Sequence, residues 1–151
     1  MIRRSVMLIG LIATLALLLA ACGGEATPVA EGDLAAQTQS VPVGDGSYTD
    51  VSVEGLAMLM AEDEEFPLVN VHIPYEGEIP DTDLFIPYNE MEQNLDQLPA
   101  DKDARVVLYC RSGSMSAQAA RTLVNLGYTD VWNVDGGMIA WENSGRSLES
   151  G

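Results

Sequence analysis

The chain has 151 residues, of which 47% are hydrophobic, so it is long enough for one packed domain and a tail. Its formal net charge is -16, from 23 acidic residues against 7 basic ones. The basic residues are too few and too scattered to form a nucleic-acid-binding surface, so that class of function is excluded.

Residues 1–22 have the pattern of an export signal that ends at a lipid attachment site. Arg3 and Arg4 form a basic start, residues 6–18 are apolar, and residues 19–22 read Leu-Ala-Ala-Cys. This order is similar to the bacterial lipoprotein signal, in which the cysteine becomes the lipidated first residue. We predict a signal peptide over residues 1–21 and a lipid anchor on Cys22 at the extracytoplasmic (periplasmic or cell-surface) face of a membrane. A single membrane-spanning helix is the alternative.

Residues 22–47 are predicted to be a flexible tether, because they are rich in Gly, Ala, Thr, Pro, Gln and acid, with almost no large apolar side chain. The folded domain is predicted over residues 48–151. If Cys22 is acylated, Cys110 is the only free thiol, so no internal disulfide can form.

The first half of the predicted domain alternates strand-like and helix-like segments. Leu56, Met58, Leu59 and Met60 form the apolar side of its first helix, and His72, the single histidine, follows its buried strand. The predicted elements are a short edge strand at 48–51, a helix at 53–62 capped by Ser52, a buried strand at 67–71, a short strand at 83–87 and a helix at 90–98 capped by Asn89.

In the second half, a β-branched strand at 105–109 leads into Cys110, a polar loop and an alanine-rich helix that stops at Gly127. Cys110 is therefore expected at the carboxyl end of a buried strand, facing the N–H groups of a helix N-terminus. Such a site can hold an anion or stabilise a thiolate. A strand at 131–134, a turn at 135–137 and a short helix at 138–143 follow.

Strands that alternate with helices predict an α/β fold, with a mainly parallel central sheet of about five short strands flanked by helices. Ligands of such sheets bind beyond the carboxyl ends of the strands, where both Cys110 and His72 are predicted to lie.

Three motifs form a specific combination: Cys-Arg-Ser-Gly-Ser-Met-Ser at 110–116, Leu-Gly-Tyr at 126–128 and Val-Asp-Gly-Gly-Met-Ile-Ala-Trp at 134–141. Together they resemble a single rhodanese domain, and the resemblance covers nearly all of the predicted folded part. Gly-Glu-Ile-Pro at 77–80 and Ile-Pro at 86–87 add weaker support.

The resemblance implies sulfurtransferase chemistry without a cofactor. A small sulfur donor, thiosulfate or a persulfide, passes sulfur to Cys110, and a thiol or cyanide removes it from the resulting persulfide. Arg111 is the candidate for binding an anionic donor, with a solvated arginine as the alternative. The serines would either bond to the sulfur or cap the helix, and Met115 would pack the loop or rim the pocket. The implied persulfide-binding residues are Arg111, Ser112, Gly113, Ser114, Met115 and Ser116.

The sequence departs from the family at residues 70–72, where Asn-Val-His replaces the Asp-Val-Arg of many rhodaneses. His72 would tune the thiol, bind an anion once protonated, or brace a loop through hydrogen bonds. Asp81, Thr82 and Asp83 predict a turn rather than a cation site. One histidine and one domain cysteine exclude a zinc site.

Two other classes of function use the same or a related fold. A phosphatase or arsenate reductase of related fold needs an arginine six residues after the cysteine, and this chain has Ser116 there. A non-catalytic binding or sensing module at the membrane surface remains open. The sequence leaves the natural donor and acceptor, the oligomeric state and the identity of the membrane undecided.

Overall fold

A computed structural model describes residues 33–62 and 64–150. The predicted signal peptide, the lipidation site Cys22 and the first part of the predicted tether, residues 22–32, lie outside the described residues. Within the described ranges, no helix combines the length and the apolar character needed to cross a membrane.

The centre of the fold is a six-stranded sheet in the order β1-β2-β6-β5-β3-β4. The β1–β2 pair is antiparallel and the other strand pairs of the sheet are parallel. This confirms the α/β class and the mainly parallel sheet, with one strand more than the predicted five. The strands are β1 Thr38–Val43, β2 Gly46–Val51, β3 Leu68–Asn70, β4 Leu84–Phe85, β5 Val106–Tyr109 and β6 Val131–Val134.

Helices cover both faces of the sheet. The α-helices are α1 Val53–Ala61, α2 Ser114–Asn125 and α3 Gly137–Asn143, and the 3-10 helices are Leu34–Gln37, Tyr88–Gln93 and Leu95–Gln97. Gly127, at φ 91°, ends α2 as predicted by turning its N–H to the carbonyl of Val124.

The predicted domain boundary at residue 48 is wrong, because residues 34–47 are structured. After the first 3-10 helix, β1 pairs with β2 in a hairpin whose register runs from Thr38↔Val51 to Val43↔Gly46. Val41 and Val43 pack against the core. Two apolar side chains at strand spacing are therefore enough to form a strand here, because the backbone of β2 provides the hydrogen-bonding partner. The hairpin also makes β2 an internal strand, contrary to the predicted edge strand at 48–51.

The start of α1 agrees with the prediction. Ser52 caps the helix, since its Oγ accepts a hydrogen bond from the N–H of Gly55 at 3.1 Å. Leu56 and Leu59 are buried as expected, whereas Met58 and Met60 remain partly exposed at the side of the helix.

The predicted helix at 90–98 is replaced by the two 3-10 helices that follow Pro87, and neither has a side-chain cap. Asn89 therefore does not cap a helix. Asn94 separates the two segments, and its Nδ2 donates a hydrogen bond of 2.8 Å to the carbonyl of Glu90. A side-chain amide that bonds to the backbone in this way competes with regular helical bonding.

The core lies on both faces of β5, whose four residues are completely buried. Val106, Leu108 and Cys110 belong to the apolar cluster on one face, while Val107 and Tyr109 belong to the cluster on the other. This alternation explains the continuous apolar run in the sequence, because a strand of a parallel sheet is buried on both sides. Cys110 follows directly from the most buried strand of the sheet.

Candidate active site

The Cys110 thiol lies at the carboxyl end of β5 and is almost completely buried. Its Sγ accepts a hydrogen bond from the N–H of Gly113 at 3.1 Å and lies 3.4 Å from Oγ of Ser116. The Ser116 hydroxyl also lies 3.2 Å from the carbonyl oxygen of Gly113. A hydroxyl has one proton, so Ser116 donates to one of these two acceptors at a time. Two donors can therefore face a negatively charged sulfur.

The loop from Cys110 to α2 turns at Gly113, which has φ 89° and occupies the N-cap position of the helix. No side chain caps α2, so the interpretation of Ser114 or Ser116 as its cap is wrong. Ser112 and Ser114 are exposed, and Met115 is partly buried against the core, in agreement with its predicted packing role. Among the three serines of the loop, Ser116 is the one that contacts the sulfur.

The start of α3 holds the carbonyl groups of the loop. The N–H of Met138 donates to the Cys110 carbonyl at 2.9 Å, and the N–H of Ile139 donates to the Arg111 carbonyl at 3.0 Å. This close approach requires Gly137, because a Cβ there would lie 2.1 Å from the Cys110 carbonyl oxygen. The turn and the helix were predicted from the sequence but this contact was not, although the glycine pair at 136–137 was a signal for it.

Arg111 forms an ion pair with Glu76, a site residue that was not predicted from the sequence. Its Nη1 donates to Oε2 of Glu76, and both side chains are exposed enough to meet solvent. The guanidinium group predicted to bind an anionic donor is therefore already opposite a carboxylate. The only signal for Glu76 in the sequence was an acidic residue in the loop after His72.

His72 reaches the site through the same carboxylate. Its imidazole is buried, and Nε2 lies 3.3 Å from Oε2 of Glu76 without the alignment of a hydrogen bond. The backbone N–H of His72 donates to Oδ1 of Asn70, and Nδ2 of Asn70 donates to the carbonyl of Gly77, each at 3.0 Å. Asn70 therefore braces the loop that carries Glu76, whereas neither ring nitrogen of His72 makes a hydrogen bond to any described residue.

A buried tyrosine anchors the far end of that loop. The hydroxyl of Tyr109 accepts a hydrogen bond from the N–H of Ile79 at 3.1 Å and lies 2.6 Å from Oγ1 of Thr82. Burial raises the pKa of Tyr109 to about 12. Because Tyr109 directly precedes Cys110, the loop is fixed to the strand that positions the thiol.

Asp81 lies in a turn, as predicted, and Asp83 follows it just before β4. Asp81 adopts φ 62°, and Oδ2 of Asp83 accepts a hydrogen bond from the N–H of Leu68 at 2.8 Å. Across residues 33–62 and 64–150, no three His, Cys, Asp or Glu residues are grouped so that they could hold a metal ion.

Several known proteins are similar to this chain. The model of the rhodanese-like domain family matches residues 63–144. A sulfurtransferase of Allochromatium vinosum is 38% identical over 102 residues, which cover 66% of this chain and 92% of that protein. The crystal structure of a rhodanese-like domain protein from Staphylococcus aureus matches with a TM-score of 0.56 at 29% identity, covering 67% of this chain and 98% of that one.

A second kind of relative is much longer than the matched region. The tRNA uridine(34) hydroxylase of Erwinia tasmaniensis is 31% identical over 93 residues, but these cover only 27% of that enzyme. The sulfurtransferase relative, by contrast, is covered over nearly its whole length, which supports sulfur transfer as the general class of reaction. The chain belongs to the rhodanese-like domain family.

Proposed function

We propose that this protein is an extracytoplasmic, lipid-anchored sulfurtransferase that moves sulfane sulfur from a donor through a persulfide on Cys110 to a thiol acceptor. The observation that carries the proposal is the buried Cys110 Sγ, with the Gly113 N–H and the Ser116 hydroxyl within hydrogen-bond distance. The nucleophile in such a transfer is a thiolate. Donors that face its sulfur stabilise the charge before and after the sulfur is accepted.

The transfer consists of two displacements at sulfur. In the first, the Cys110 thiolate attacks the terminal sulfur of the donor, the donor's S–S or S–SO₃ bond breaks, and the electron pair of that bond leaves with the remaining thiolate or sulfite. In the second, a thiolate or cyanide attacks the outer sulfur of the Cys110 persulfide and regenerates the Cys110 thiolate. Neither displacement needs an external oxidant or reductant.

The lipid anchor is supported by the sequence pattern of residues 1–22, with its basic start, apolar run and Leu-Ala-Ala-Cys end. Mass spectrometry of the protein extracted from membranes tests it directly. We expect a mature chain that begins at an acylated Cys22, and we expect Cys22→Ser to abolish the acyl mass. A full-length chain that retains residues 1–21 without acylation would contradict the anchor.

Sulfur transfer is tested by whole-protein mass spectrometry after incubation with thiosulfate or with an organic persulfide. We expect the wild-type protein to gain one sulfur atom on Cys110 and the Cys110→Ser variant to gain none. Thiocyanate formed on addition of cyanide would show that the sulfur can be passed on. An unreactive Cys110 with both donors would favour the alternative function, a binding module at the membrane surface.

A further inference from the structure

The cation beside the thiol is not available to a donor without competition. Nη1 of Arg111 is bonded to Oε2 of Glu76, and His72 approaches the same oxygen from the protein interior. A dianionic donor such as thiosulfate therefore competes with a carboxylate for the guanidinium group. The formal net charge of the whole chain, -16, also opposes the approach of a dianion.

Glu76 is held in this position by its loop. The carbonyl of the next residue, Gly77, accepts from Nδ2 of Asn70 at 3.0 Å. The backbone of Glu78 pairs with that of Glu149 through two hydrogen bonds, at 2.9 and 2.7 Å. The backbone that follows Glu76 is therefore fixed by hydrogen bonds. This holds the residue at the position where its carboxylate contacts Arg111.

Three exposed apolar side chains belong to residues that adjoin this ion pair in sequence or through a direct contact. In the described part of the chain, the large hydrophobic residues with the highest exposure are Tyr75, Phe85 and Ile139, at 42%, 42% and 41%. Tyr75 precedes Glu76 and packs edge to face on Phe85, with ring centroids 5.5 Å apart. Ile139 is bonded through its N–H to the Arg111 carbonyl. We call Tyr75, Phe85 and Ile139 the apolar rim.

We propose that the sulfur donor is an organic persulfide, R–S–SH, whose uncharged apolar R group binds the apolar rim, and that Glu76 is the residue that disfavours dianionic donors. This inference rests on the proposed sulfur transfer through Cys110. The Cys110 thiolate attacks the terminal sulfur, the S–S bond breaks, and R–S⁻ leaves and takes the proton from that sulfur. The products are the Cys110 persulfide anion and R–SH, so atoms and charge balance.

The test compares the rate at which Cys110 is loaded with sulfur from thiosulfate and from benzyl persulfide, measured by rapid quench and mass spectrometry on the full chain. Glu76→Gln should raise the thiosulfate rate about fivefold, the factor expected for one solvent-exposed ion pair. The benzyl persulfide rate should change less than about twofold. The matched control Glu78→Gln removes the same charge two residues away and should leave both rates within about twofold.

Two further variants separate the roles of the ion pair and the rim. Arg111→Gln should reduce the thiosulfate rate more in the Glu76→Gln background than in the wild type, because there no carboxylate competes with the dianion for the guanidinium group. Phe85→Ser should lower the ratio of the benzyl persulfide rate to the thiosulfate rate about threefold, through loss of apolar contact area. A general disturbance of the site would reduce both rates together and leave the ratio unchanged.

The outcomes distinguish this inference from the function on which it rests. An unchanged thiosulfate rate in Glu76→Gln, or an equal change with both donors, would overturn the role of Glu76 while leaving sulfur transfer intact. A ratio unaffected by Phe85→Ser would overturn the role of the apolar rim. Failure of Cys110 to load from either donor, in the wild type and in the variants, would instead overturn the proposed function itself.

Discussion

Cys110 is buried, and two hydrogen-bond donors lie near its sulfur atom. The Gly113 N–H belongs to the backbone and cannot be removed by a simple substitution, whereas the Ser116 hydroxyl can. The loop carbonyls are held separately, by the first N–H groups of α3. The effect of the Ser116 hydroxyl on sulfur loading can therefore be measured separately from the effect of the loop backbone.

Replacing Ser116 with alanine removes one donor from the sulfur while preserving the helix. A hydrogen bond of this kind contributes roughly 1 kcal/mol, so we expect sulfur loading of Cys110 to slow about fivefold. Ser114→Ala is the matched control, since Ser114 is an exposed serine of the same loop. Equal loading rates in the two variants would show that the Ser116 hydroxyl does not act on the sulfur.

Gly137→Ala should disturb the loop itself. The added Cβ would lie 2.1 Å from the Cys110 carbonyl oxygen, so the backbone that carries the thiol must move. A displacement of about 1 Å can reduce an enzymatic rate on the order of 100-fold, and we expect a loss of that size in the loading of folded protein.

The control for this variant is Gly145→Ala. Gly145 also has a positive φ, 86°, but an added Cβ there meets nothing within 4 Å. Gly145→Ala should lower the free energy of unfolding by about 1 kcal/mol through backbone strain and leave the loading rate unchanged. If both variants load sulfur at the same rate, close contact at Gly137 is not what positions the loop.

Strand β5 supports the site through its side chains as well as through its end. Tyr109, its last residue, bonds to the loop that carries Glu76, while Cys110 begins the loop that holds the sulfur. Strand β5 therefore sets the distance between the loop that carries Glu76 and the loop that begins at Cys110. The buried hydroxyl of Tyr109 is the contact that links them.

Tyr109→Phe should destabilise the fold by about 1–3 kcal/mol, because the N–H of Ile79 loses its acceptor. The cost can be measured by urea unfolding at neutral pH. Tyr88→Phe, in a partly exposed tyrosine, should change stability by less than about 0.5 kcal/mol. A Tyr109→Phe variant as stable as the wild type would mean that the loop is held by other contacts.

The raised pKa of Tyr109 predicts that the stability of the fold depends on pH. This pKa is raised from 10.0 to about 12 in the folded protein, so between these values the unfolded chain releases a proton that the folded chain retains. Wild-type stability should therefore fall as pH rises through this window. Tyr109→Phe lacks the effect, so the difference in unfolding free energy between the two proteins should shrink from about pH 9 to about pH 12. A constant difference would contradict the raised pKa.

The sheet as a unit depends on the amino-terminal hairpin. β1 covers the edge of β2, and Val41 and Val43 add apolar contacts to the cluster that contains α2. Without β1, the backbone of β2 would be exposed for pairing with another chain.

A chain that begins at residue 48 should therefore be less stable than one that begins at residue 33. We expect a loss of at least about 3 kcal/mol from the two valines and the strand pairing. Urea unfolding measures the loss, and size-exclusion chromatography should reveal association through the uncovered edge. Equal stability of the two chains would restore residue 48 as the boundary of the folded domain.

The net charge of the chain should appear in the salt dependence of its reaction. A charge of -16 repels thiosulfate, and added salt screens the repulsion. We expect the rate of loading from thiosulfate to rise about threefold between low and physiological ionic strength, and that from an uncharged donor to stay nearly constant. A thiosulfate rate that falls with salt would indicate that local attraction by Arg111 exceeds the repulsion by the rest of the chain.

Features encoded in neighbouring residues could be predicted. The run at 105–109, the glycine of the following loop and the helical spacing after it placed Cys110 at the end of a buried strand, and the structure agrees. The cap at Ser52 and the stop at Gly127 are of the same kind. Each depends on backbone preferences and apolar periodicity within about one turn or one strand, so the local sequence is sufficient.

Contacts between distant residues were decided only by the tertiary structure. Glu76 meets Arg111 35 positions further along the chain. The N–H groups of α3 meet the carbonyls of Cys110 and Arg111, and β1 is a strand because β2 pairs with it. These features arise when the sheet brings separate segments to one edge, and no periodicity or composition of a single segment records its partner. The sequence predicted Cys110 as the nucleophile, whereas the tertiary structure determined which charged and apolar residues lie near it.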